Sequence, residues 1–539
     1  MHRITFFRAM KRNHKILLVM IIISCLLLGI YEYRRINSME NRISIVDSEI
    51  SQEVKKVQVS GNYSIFDVDF QNAVLDKIYS QLDDVSIENP FLIYNPFGTN
   101  ANAINIYFNE KIENMSYTVS VEGYNDYVGQ LQVDENDGYQ IIGLIAGEVN
   151  QLILNVDNLS YTYTLLMPKT ESDIDNQIEV SEGTSQEEIS DGLFAMMGKE
   201  TRSNIFLYDN NGVLRSELIV DNTKYRTDRL LNIDGQLVYT YNKEGFVFVN
   251  RQGMIEKIID LDGYYMHHDF IYDEENHNLL ILANKNDADT IEDIIVSLNL
   301  ETGKVKELVD MKDLLPEMYE TAYDEDGENS YGGDELDWIH LNSLSLMDNG
   351  SLLVSSRELS TVIKLDNIYD EPTIDYMIGD ESIYEGFDCQ NLLLVKDGDF
   401  TSQAGQHTVT YSTDDSLQEG TYYVTIYNNN FGSMPTRQDY DWSNIEGVGT
   451  YKKGTNSYFY KYLINENEGT YNLIQSIALP YSAIVSSIEY YKNHIQTSSG
   501  RDGSFAEYDL DGEMIRQYNY DVEGHCYRVM KYDFDIWFQ

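Results

Sequence analysis

LNSLSLMDNGSLLVSSR, residues 341–357, is the stretch that decides the fold. Two runs suited to β-strands flank the turn Asp348-Asn349-Gly350, and the second contains the apolar triplet Leu352-Leu353-Val354. An Asn-Gly turn between such runs is typical of an antiparallel hairpin. With 43 tyrosines and only seven prolines, the composition also favours strands. The sequence therefore predicts a mostly β protein.

The same alternation of short strands and Asp, Asn or Gly turns continues through residues 193–539. No ten-residue stretch there has a capped helical pattern. The number of predicted antiparallel strands is too large for one sandwich, so we expect a β-propeller of six blades at about 50–60 residues each. A propeller places side chains from distant parts of the chain around one central channel.

A smaller β domain is predicted upstream, over residues 85–168. Ile104, Ile106 and Phe108 alternate with less apolar neighbours, as expected of strands in a small β-sandwich. Residues 169–192 are rich in acids and poor in apolar positions, and they predict a solvated linker or loop.

Residues 37–84 are predicted to form a helical stalk. A second helix is expected over Phe70–Leu82. The first rests on apolar positions that recur at three- and four-residue steps, namely Ile43, Val46, Ile50, Val54 and Val57.

The N-terminus has the pattern of a membrane signal. Five cations and no acid precede the uncharged apolar run Ile16–Tyr31. Only Arg34 and Arg35 follow it closely, which favours a cytoplasmic tail and a signal-anchor over residues 1–36. We expect a membrane-anchored protein whose bulk is extracytoplasmic, at the cell surface. Lipidation of Cys25 is an alternative, but the apolar run continues beyond that cysteine.

The charge balance limits the classes of partner. Lys plus Arg total 38 against 89 Asp plus Glu, a formal charge of −51. A nucleic-acid-binding protein would need a basic surface, so that class is excluded. A field this negative repels anions, and an anion site must therefore supply local positive charge.

Four of the nine histidines lie in three short motifs beside predicted strands. Scarce imidazoles near an arginine predict a site that holds an anion and performs nucleophilic chemistry on it. The motifs are Met266-His267-His268-Asp269-Phe270, Asp337-Trp338-Ile339-His340-Leu341-Asn342-Ser343 and Gly405-Gln406-His407-Thr408, and the arginine is in Ser355-Ser356-Arg357-Glu358.

Strand alternation predicts how these side chains are oriented. Trp338, His340 and Asn342 should share one face. Arg357 extends a buried strand and needs a partner, either an acid of another blade or a bound oxyanion, whereas Glu358 should point the opposite way. Of the adjacent His267 and His268, only one can face the channel. We favour His268, and the choice stays open.

As a set, these motifs resemble the bacterial aryl-sulfate sulfotransferase family. Upstream, Asn95-Pro96-Phe97-Gly98-Thr99 and Ile142-Gly143-Leu144 resemble that family's immunoglobulin-like N-terminal domain. The resemblance covers about residues 85 to 539. The chain departs from known periplasmic members in lacking a cysteine pair near His407 and a cleaved signal.

The resemblance implies sulfuryl transfer between phenols without a nucleotide donor and without a cofactor or metal. By motif position, His407 would be the nucleophile. His268, His340 and Arg357 would hold the sulfuryl oxygens, while Asn342 and His267 would contact substrate. The partners implied are a small phenolic donor and acceptor.

Two other functions remain open from the sequence. Histidines converging in a propeller could bind iron, although Arg357 argues against a cation there. The chain could also be a surface-anchored binding module without catalysis. The sequence allows a homodimer through the N-terminal region, and a disulfide between Cys389 and Cys526 cannot be argued from spacing.

Overall fold

A computed structural model describes residues 39–109, 112–133, 138–156, 158–172, 174–199, 204–221, 227–324, 333–522 and 524–534. The predicted signal-anchor, residues 1–36, and Cys25 lie outside these ranges. Within them, every helix is too short or too polar to cross a bilayer. The described chain is mostly β, as predicted.

The N-terminal region has two facing sheets. One has the strand order β1-β2-β3-β4-β7 and the other β6-β5-β8-β9. Apolar side chains of both sheets, among them Leu92, Ile106, Tyr117 and Leu152, share one core. The elements are β1 Ile43–Asp47, β2 Val54–Val59, helix α1 Val68–Tyr79, β3 Phe91–Tyr94, β4 Ile104–Tyr107, β5 Ile112–Ser120, β6 Tyr127–Val133, β7 Tyr139–Ile141, β8 Val149–Val156 and β9 Leu159–Leu166.

The predicted helical stalk over residues 37–84 is wrong in its first half. Strands β1 and β2 form an antiparallel hairpin, and β2 pairs in parallel with β3, so this segment adds two strands to the sandwich. Main-chain pairing to an available sheet edge outweighs a helical spacing that rests on few apolar positions. The second helix is confirmed as α1, which Asp67 caps by accepting from the amide of Asp69.

Among the described residues after 192, six sheets follow one another along the chain, antiparallel except for the pairing of β26 (Val395–Lys396) with β30 (Thr470–Leu479). Together they form a propeller-like arrangement. Their strands are β11 Leu193–Lys199, β12 Ile205–Tyr208, β13 Leu214–Leu218, β14 Leu231–Ile233, β15 Gln236–Asn242, β16 Gly245–Val249, β17 Ile255–Asp260, β18 Tyr264–Asp273, β19 Asn278–Lys285, β20 Ile294–Asn299, β21 Val305–Asp310, β22 Leu341–Leu346, β23 Leu352–Ser356, β24 Thr361–Asp366, β25 Thr373–Ile378, β26 Val395–Lys396, β27 His407–Ser412, β28 Thr421–Asn428, β29 Ser457–Asn465, β30 Thr470–Leu479, β31 Ser487–Tyr491, β32 His494–Ser499, β33 Ser504–Tyr508, β34 Met514–Asn519 and β35 Cys526–Tyr532.

Short helices interrupt the sheets. They are the α-helices α2 Met311–Leu314 and α3 Pro316–Glu320 and the 3-10 helices Glu381–Ile383, Asp388–Leu392, Pro435–Arg437 and Trp442–Asn444.

The first and last parts of the domain meet in one sheet, where β35 pairs with β11. Edge strands of successive sheets contact one another: β18 contacts β22, β22 contacts β27, β27 contacts β31, and β31 contacts β35. The predicted histidine motifs lie on or beside β18, β22 and β27. Three neighbouring sheets therefore bring them to one place.

The acidic segment 169–192 is more ordered than a solvated linker. Strand β10, Glu179–Glu182, pairs with β34 and so joins the sheet that contains β31 to β34. Ser190 then donates its amide to Glu507 at 2.8 Å. A strand at a sheet edge is held by its main chain and needs few apolar side chains, which is why composition misses it.

Neither of the two described cysteines, Cys389 and Cys526, is in a disulfide. Cys526 is fully buried, and its thiol donates to the carbonyl of Met197 at 3.1 Å.

Candidate active site

Backbone irregularities present the motif histidines. His268 and His340 have φ of 55° and 51°, and Thr408, which follows His407, has φ of 56°. His268 lies within a shift of strand register between Met266 and Phe270, and Thr408 lies within one between His407 and Val409. His340 directly precedes β22, whose register shifts between Leu341 and Ser343. Bulges of this kind re-aim side chains at functional sites.

This geometry corrects two predictions from alternation. His267 and His268 both contribute to one cluster, with ring centroids 5.2 Å apart, because the bulge at His268 breaks the two-residue period. Trp338 does not share a face with His340: residues 337–340 precede β22, and the Trp338 ring packs in the core, its Nε1 donating to Asp293 at 2.9 Å.

His268 and His340 form the centre of the cluster. Their Nε2 atoms lie 3.2 Å apart. Oε1 of Glu292 lies 3.2 Å from Nε2 of His268, and Oε2 of the same carboxylate lies 2.5 Å from Nδ1 of His340. Nδ1 of His340 also lies 2.6 Å from Oδ2 of Asp337, so two carboxylates meet at this ring nitrogen. All four side chains are buried.

Arg357 lies at the edge of this cluster with its side chain 14% exposed. Its Nη2 is 3.8 Å from a carboxylate oxygen of Asp337 and 3.8 Å from one of Glu358. The expectation that Glu358 points the opposite way is wrong, because β23 ends at Ser356 and both residues lie in the following turn. The arginine thus has two carboxylates at ion-pair distance and remains partly open to a ligand.

His407 has a different kind of partner. Its Nδ1 lies 2.8 Å from Oδ1 of Asn429. The amide nitrogen of Asn429 donates to the carbonyls of Ser482 and Val485 at 2.7 and 2.9 Å, which fixes its oxygen toward the histidine. Nδ1 of His407 must therefore carry the proton, and Nε2 keeps its lone pair.

Tyr527 contacts both His268 and His407. Its ring stacks on His268 at 5.2 Å and meets His407 edge-on at 6.3 Å. Its hydroxyl donates to the carbonyl of Asn342 at 3.1 Å. The Asn342 side chain donates to the carbonyl of Gln406 at 2.8 Å, so it braces the His407 strand.

Asp269 accepts several hydrogen bonds in a buried network beside the site. It accepts from Arg229 and Arg528, each at 2.7 Å, and from the amide of Leu344 at 3.0 Å. Burial raises the pKa of Asp269, but the two guanidinium groups outweigh it and lower that pKa to about 2. This network ties β18, β22 and β35 together.

The histidines differ in protonation. Burial lowers the pKa of His407 well below its usual value, and Arg357 and His340 add to the effect. Burial also lowers the pKa of His267, to about 3. For His340, burial and Arg357 lower the pKa, but Asp337 and Glu292 outweigh them and raise it to about 9.

The carboxyl groups differ as well. Burial raises the pKa of Glu292, but His268 and His340 outweigh it and hold that pKa well below its usual value. Burial raises the pKa of Glu358 to about 7, although Arg357 opposes the shift. Glu292 is therefore an anion among imidazoles.

The structure brings every predicted site residue into one region: His267, His268, His340, Asn342, Arg357 and His407. It adds Glu292, Asn429 and Tyr527, which the sequence did not single out. A signal existed for the first two. Glu292 and Asp293 interrupt an apolar run directly before β20, and Asn428-Asn429-Asn430 ends the strand that pairs with the one beginning at His407.

The arrangement combines a neutral imidazole with a free ring nitrogen, a partly exposed guanidinium and a carboxylate-supported pair of imidazoles. The first can act as a nucleophile. The guanidinium can stabilise negative charge that develops on oxygen.

The family model "Arylsulfotransferase (ASST)" matches residues 179–529. No curated protein matches the chain. Similar solved structures include a Bacteroides caccae protein of unknown function, with 11% identity, TM-score 0.37, and 64% of this chain and 99% of that chain covered. A putative 6-phosphogluconolactonase from Bacteroides fragilis has 9% identity and TM-score 0.35, with 78% of this chain and 98% of that chain covered. An inactive virginiamycin B lyase from Staphylococcus aureus has 9% identity and TM-score 0.31, with 78% of this chain and 99% of that chain covered. Such scores establish no functional relationship.

Proposed function

Because the chain belongs to the arylsulfotransferase family, which it matches over residues 179–529, we propose that it moves a sulfuryl group from a phenolic sulfate ester to another phenol. The transfer is ping-pong, passes through a sulfohistidine at His407 and uses no nucleotide donor. The hydrogen bond between His407 and Asn429 is the observation that carries this proposal, because it fixes a nucleophilic tautomer.

In the first half-reaction, Nε2 of His407 attacks the sulfur of the donor ester. A nitrogen–sulfur bond forms, the bond from sulfur to the phenolic oxygen breaks, and the phenolate leaves with that electron pair. In the second half-reaction, an acceptor phenol releases its proton to solvent, from which the departed phenolate takes up a proton, and the acceptor oxygen attacks the same sulfur. The nitrogen–sulfur bond then breaks and the neutral imidazole of His407 returns.

The lowered pKa of His407 supports this role, since the imidazole stays neutral at and below pH 7. Holding the ring in one tautomer saves the cost of orienting it during the reaction.

Arg357, His268 and His340 form the wall that receives the sulfuryl oxygens. Negative charge on these oxygens in the transition state needs fixed positive groups and donors, in a site that excludes water. Arg357 suits this role because it is partly exposed and planar, whereas its carboxylate partners are 3.8 Å away. His267 and Asn342 line the same region.

We further propose that the six sheets are the six blades of a propeller. The pairing of β11 with β35 supports closure of the ring. The immunoglobulin-like character of the sandwich and an anchored, extracytoplasmic location also stand as proposals from the sequence. So does a homodimer through the N-terminal region.

The test is acceptor-dependent release of a coloured phenol from an aryl sulfate by the full chain. His407→Ala should abolish release, a loss of about 10⁴-fold or more. His277→Ala is the matched control, because His277 is an exposed histidine in the turn after β18. Release from no member of a panel of aryl sulfates, by well-folded protein, would contradict the proposal and favour a binding module. Release that survives in His407→Ala would overturn the nucleophile.

A further inference from the structure

We propose that Tyr451, Lys452, Lys453 and Arg501 form a binding site for an aromatic anion, at the end of the domain that carries the histidine site. The inference deepens the proposed function and rests on it in one respect, the identification of this anion as a phenolic acceptor with a carboxylate group. Three observations support the site: its position in the topology, positive charge without carboxylate partners, and a tyrosine ring that is held in place yet exposed.

The topology places Arg501 at the same end of the domain as the histidine site. Glu292, Arg357 and Asn429 each lie in the connection between the second and third strands of their sheet, counted along the chain. Arg501 lies in the corresponding connection, between β32 and β33, of the sheet beside that of His407. Because successive strands of these sheets run antiparallel, corresponding connections of neighbouring sheets emerge at the same end.

Hydrogen bonds also link Arg501 to the residue that orients His407. The side-chain nitrogen of Asn429 donates to the carbonyl of Ser482 at 2.7 Å. The amide of Arg501 donates to the hydroxyl oxygen of the same serine at 3.0 Å. Ser482 therefore holds both Asn429 and the backbone of Arg501, which places Arg501 beside the histidine site.

The connection between β28 and β29 is much longer than its counterparts and contains the other three residues. It spans residues 429–456. The corresponding connections of three other sheets span residues 286–293, 357–360 and 500–503. Near its end the amide of Thr450 donates to the carbonyl of Lys453 at 2.7 Å, which closes a tight turn. Tyr451 and Lys452 are the central residues of this turn, and both are exposed.

Tyr451 contacts Arg501 directly, so the two connections meet. The guanidinium of Arg501 lies 4.2 Å from the centre of the Tyr451 ring, and its Nη1 donates to the hydroxyl of that tyrosine. The buried ring of Phe431 lies 6.2 Å from the Tyr451 ring, at 60° to it. Although these contacts fix the ring, 45% of Tyr451 remains exposed. A fixed, exposed aromatic ring can stack the ring of a ligand.

The cations of the site lack carboxylate partners. In the described part of the chain, no acid forms an ion pair with Lys452, Lys453 or Arg501, although 89 acids stand against 38 bases in the sequence. Asp502 follows Arg501 directly, but its carboxylate accepts from the hydroxyl of Ser504 at 2.7 Å. In so acidic a chain, a group of unpaired cations supplies the local positive charge that an anionic ligand needs.

The ligand that fits combines an aromatic ring with a negative charge. Its ring stacks on Tyr451, and its carboxylate meets the guanidinium fork of Arg501. In the proposed function, the sulfate ester donor already brings its anion to Arg357. The acceptor phenol is neutral at its reacting end, so these cations help to select it only where it carries a carboxylate of its own. We therefore expect phenolic carboxylates to be the preferred acceptors.

The first experiment measures binding without any sulfate donor. The full chain is titrated by calorimetry with para-hydroxybenzoate and with its methyl ester, which has the same ring but no charge. We expect the acid to bind about 5- to 10-fold more tightly than the ester at low salt. Arg501→Gln should remove this preference, whereas Tyr451→Leu should weaken the binding of both ligands by about 5-fold.

Arg251→Gln is the matched control, because Arg251 also packs over a tyrosine ring, that of Tyr139, at 4.9 Å. It should keep the preference for the acid. Circular dichroism checks the fold of each variant. Equal binding of acid and ester by the wild type, or a preference that survives in folded Arg501→Gln, would overturn the site. Binding of acetate as tight as that of para-hydroxybenzoate would also overturn it, because charge alone would then explain the binding.

The second experiment measures kcat/KM for the same two acceptors with one aryl sulfate donor. The wild type should prefer the acid, and Arg501→Gln should lose this preference while its release of the donor phenol in the first turnover stays as in the wild type. Transfer without any preference between the acceptors would overturn the inference and leave the proposed function intact. A binding preference without any transfer would keep the site and contradict the proposed function, so the two can fail independently.

Discussion

His407 begins β27, His340 directly precedes β22 of the neighbouring sheet, and both rings are buried. Nδ1 of His407 meets an amide oxygen, that of Asn429, whereas Nδ1 of His340 meets carboxylate oxygens of Asp337 and Glu292. Burial alone would lower the pKa of both. It does so for His407, whereas Asp337 and Glu292 raise the pKa of His340 to about 9.

The difference teaches that the partner of a buried histidine sets its charge. The neutral amide of Asn429 orients His407 and leaves its Nε2 unprotonated, which suits a nucleophile. The carboxylates keep His340 protonated, which suits a group that donates to oxygen. The charge of His407 and the charge of His340 can therefore be altered separately.

The largest effect on activity should come from Arg357, whose positive charge acts on both His340 and His407. Arg357→Gln removes the partly exposed guanidinium at the edge of the cluster, and we expect transfer to fall by about 10³-fold. The measurement is kcat/KM for the aryl sulfate donor. Arg251→Gln is the control, because that guanidinium packs over Tyr139, 4.9 Å from its ring centre, in the sandwich. A loss below tenfold would mean that another group carries the sulfuryl charge.

Asn429→Asp would break the comparison by giving His407 a partner like that of His340. The new carboxylate should raise the pKa of His407, so protonation removes the nucleophile as the pH falls. We expect a loss of about 10- to 100-fold at pH 6.5 that recovers at higher pH. The wild type should show no such recovery, because its His407 pKa is already low.

Asn429→Leu is the matched companion, since it removes the acceptor without adding charge. It should lower the rate by about 100-fold at every pH, because the tautomer is no longer fixed. Identical pH profiles for the Asp and Leu variants would contradict the role given to Asn429.

A change at Glu358 tests how burial alters a carboxyl group beside the site, and it should have the smallest effect on activity. Its pKa is raised by burial to about 7, so the folded state favours the protonated form. That contribution to stability is full below the usual glutamate pKa and is lost as the pH rises toward about 7.

Glu358→Gln keeps an acceptor for the amide and hydroxyl of Thr436, which donate to Glu358 at 2.7 and 2.8 Å. Relative to wild type, the variant should gain up to about 3 kcal/mol of stability between pH 5 and pH 8. Denaturant unfolding at both values checks this. A constant difference between the two proteins would show that Glu358 titrates normally.

Much of the fold could be predicted from sequence because its signal is local. Turns such as Asp348-Asn349-Gly350 mark the ends of paired strands, and the alternation at Ile104 and Ile106 marks the sandwich. The stalk was wrong because residues 43–57 carry too few apolar positions to separate a helical from a strand period, and the available edge of β3 decided for a strand.

In the site, residue types were predictable but their orientations were not. Alternation fails wherever a residue takes a positive φ, as at His268 and His340, and no sequence pattern marked these bulges. Asn429 and Glu292 were missed because their partners lie 22 and 48 residues away, at His407 and His340.

The most direct test of the central claim is to isolate the intermediate. The full chain is mixed with an aryl sulfate donor alone, quenched in alkali, digested and analysed by mass spectrometry. The account predicts one added SO₃ group on the peptide that contains His407, lost when a phenol acceptor is added before quenching. Sulfation of another histidine, or none while transfer proceeds, would contradict it.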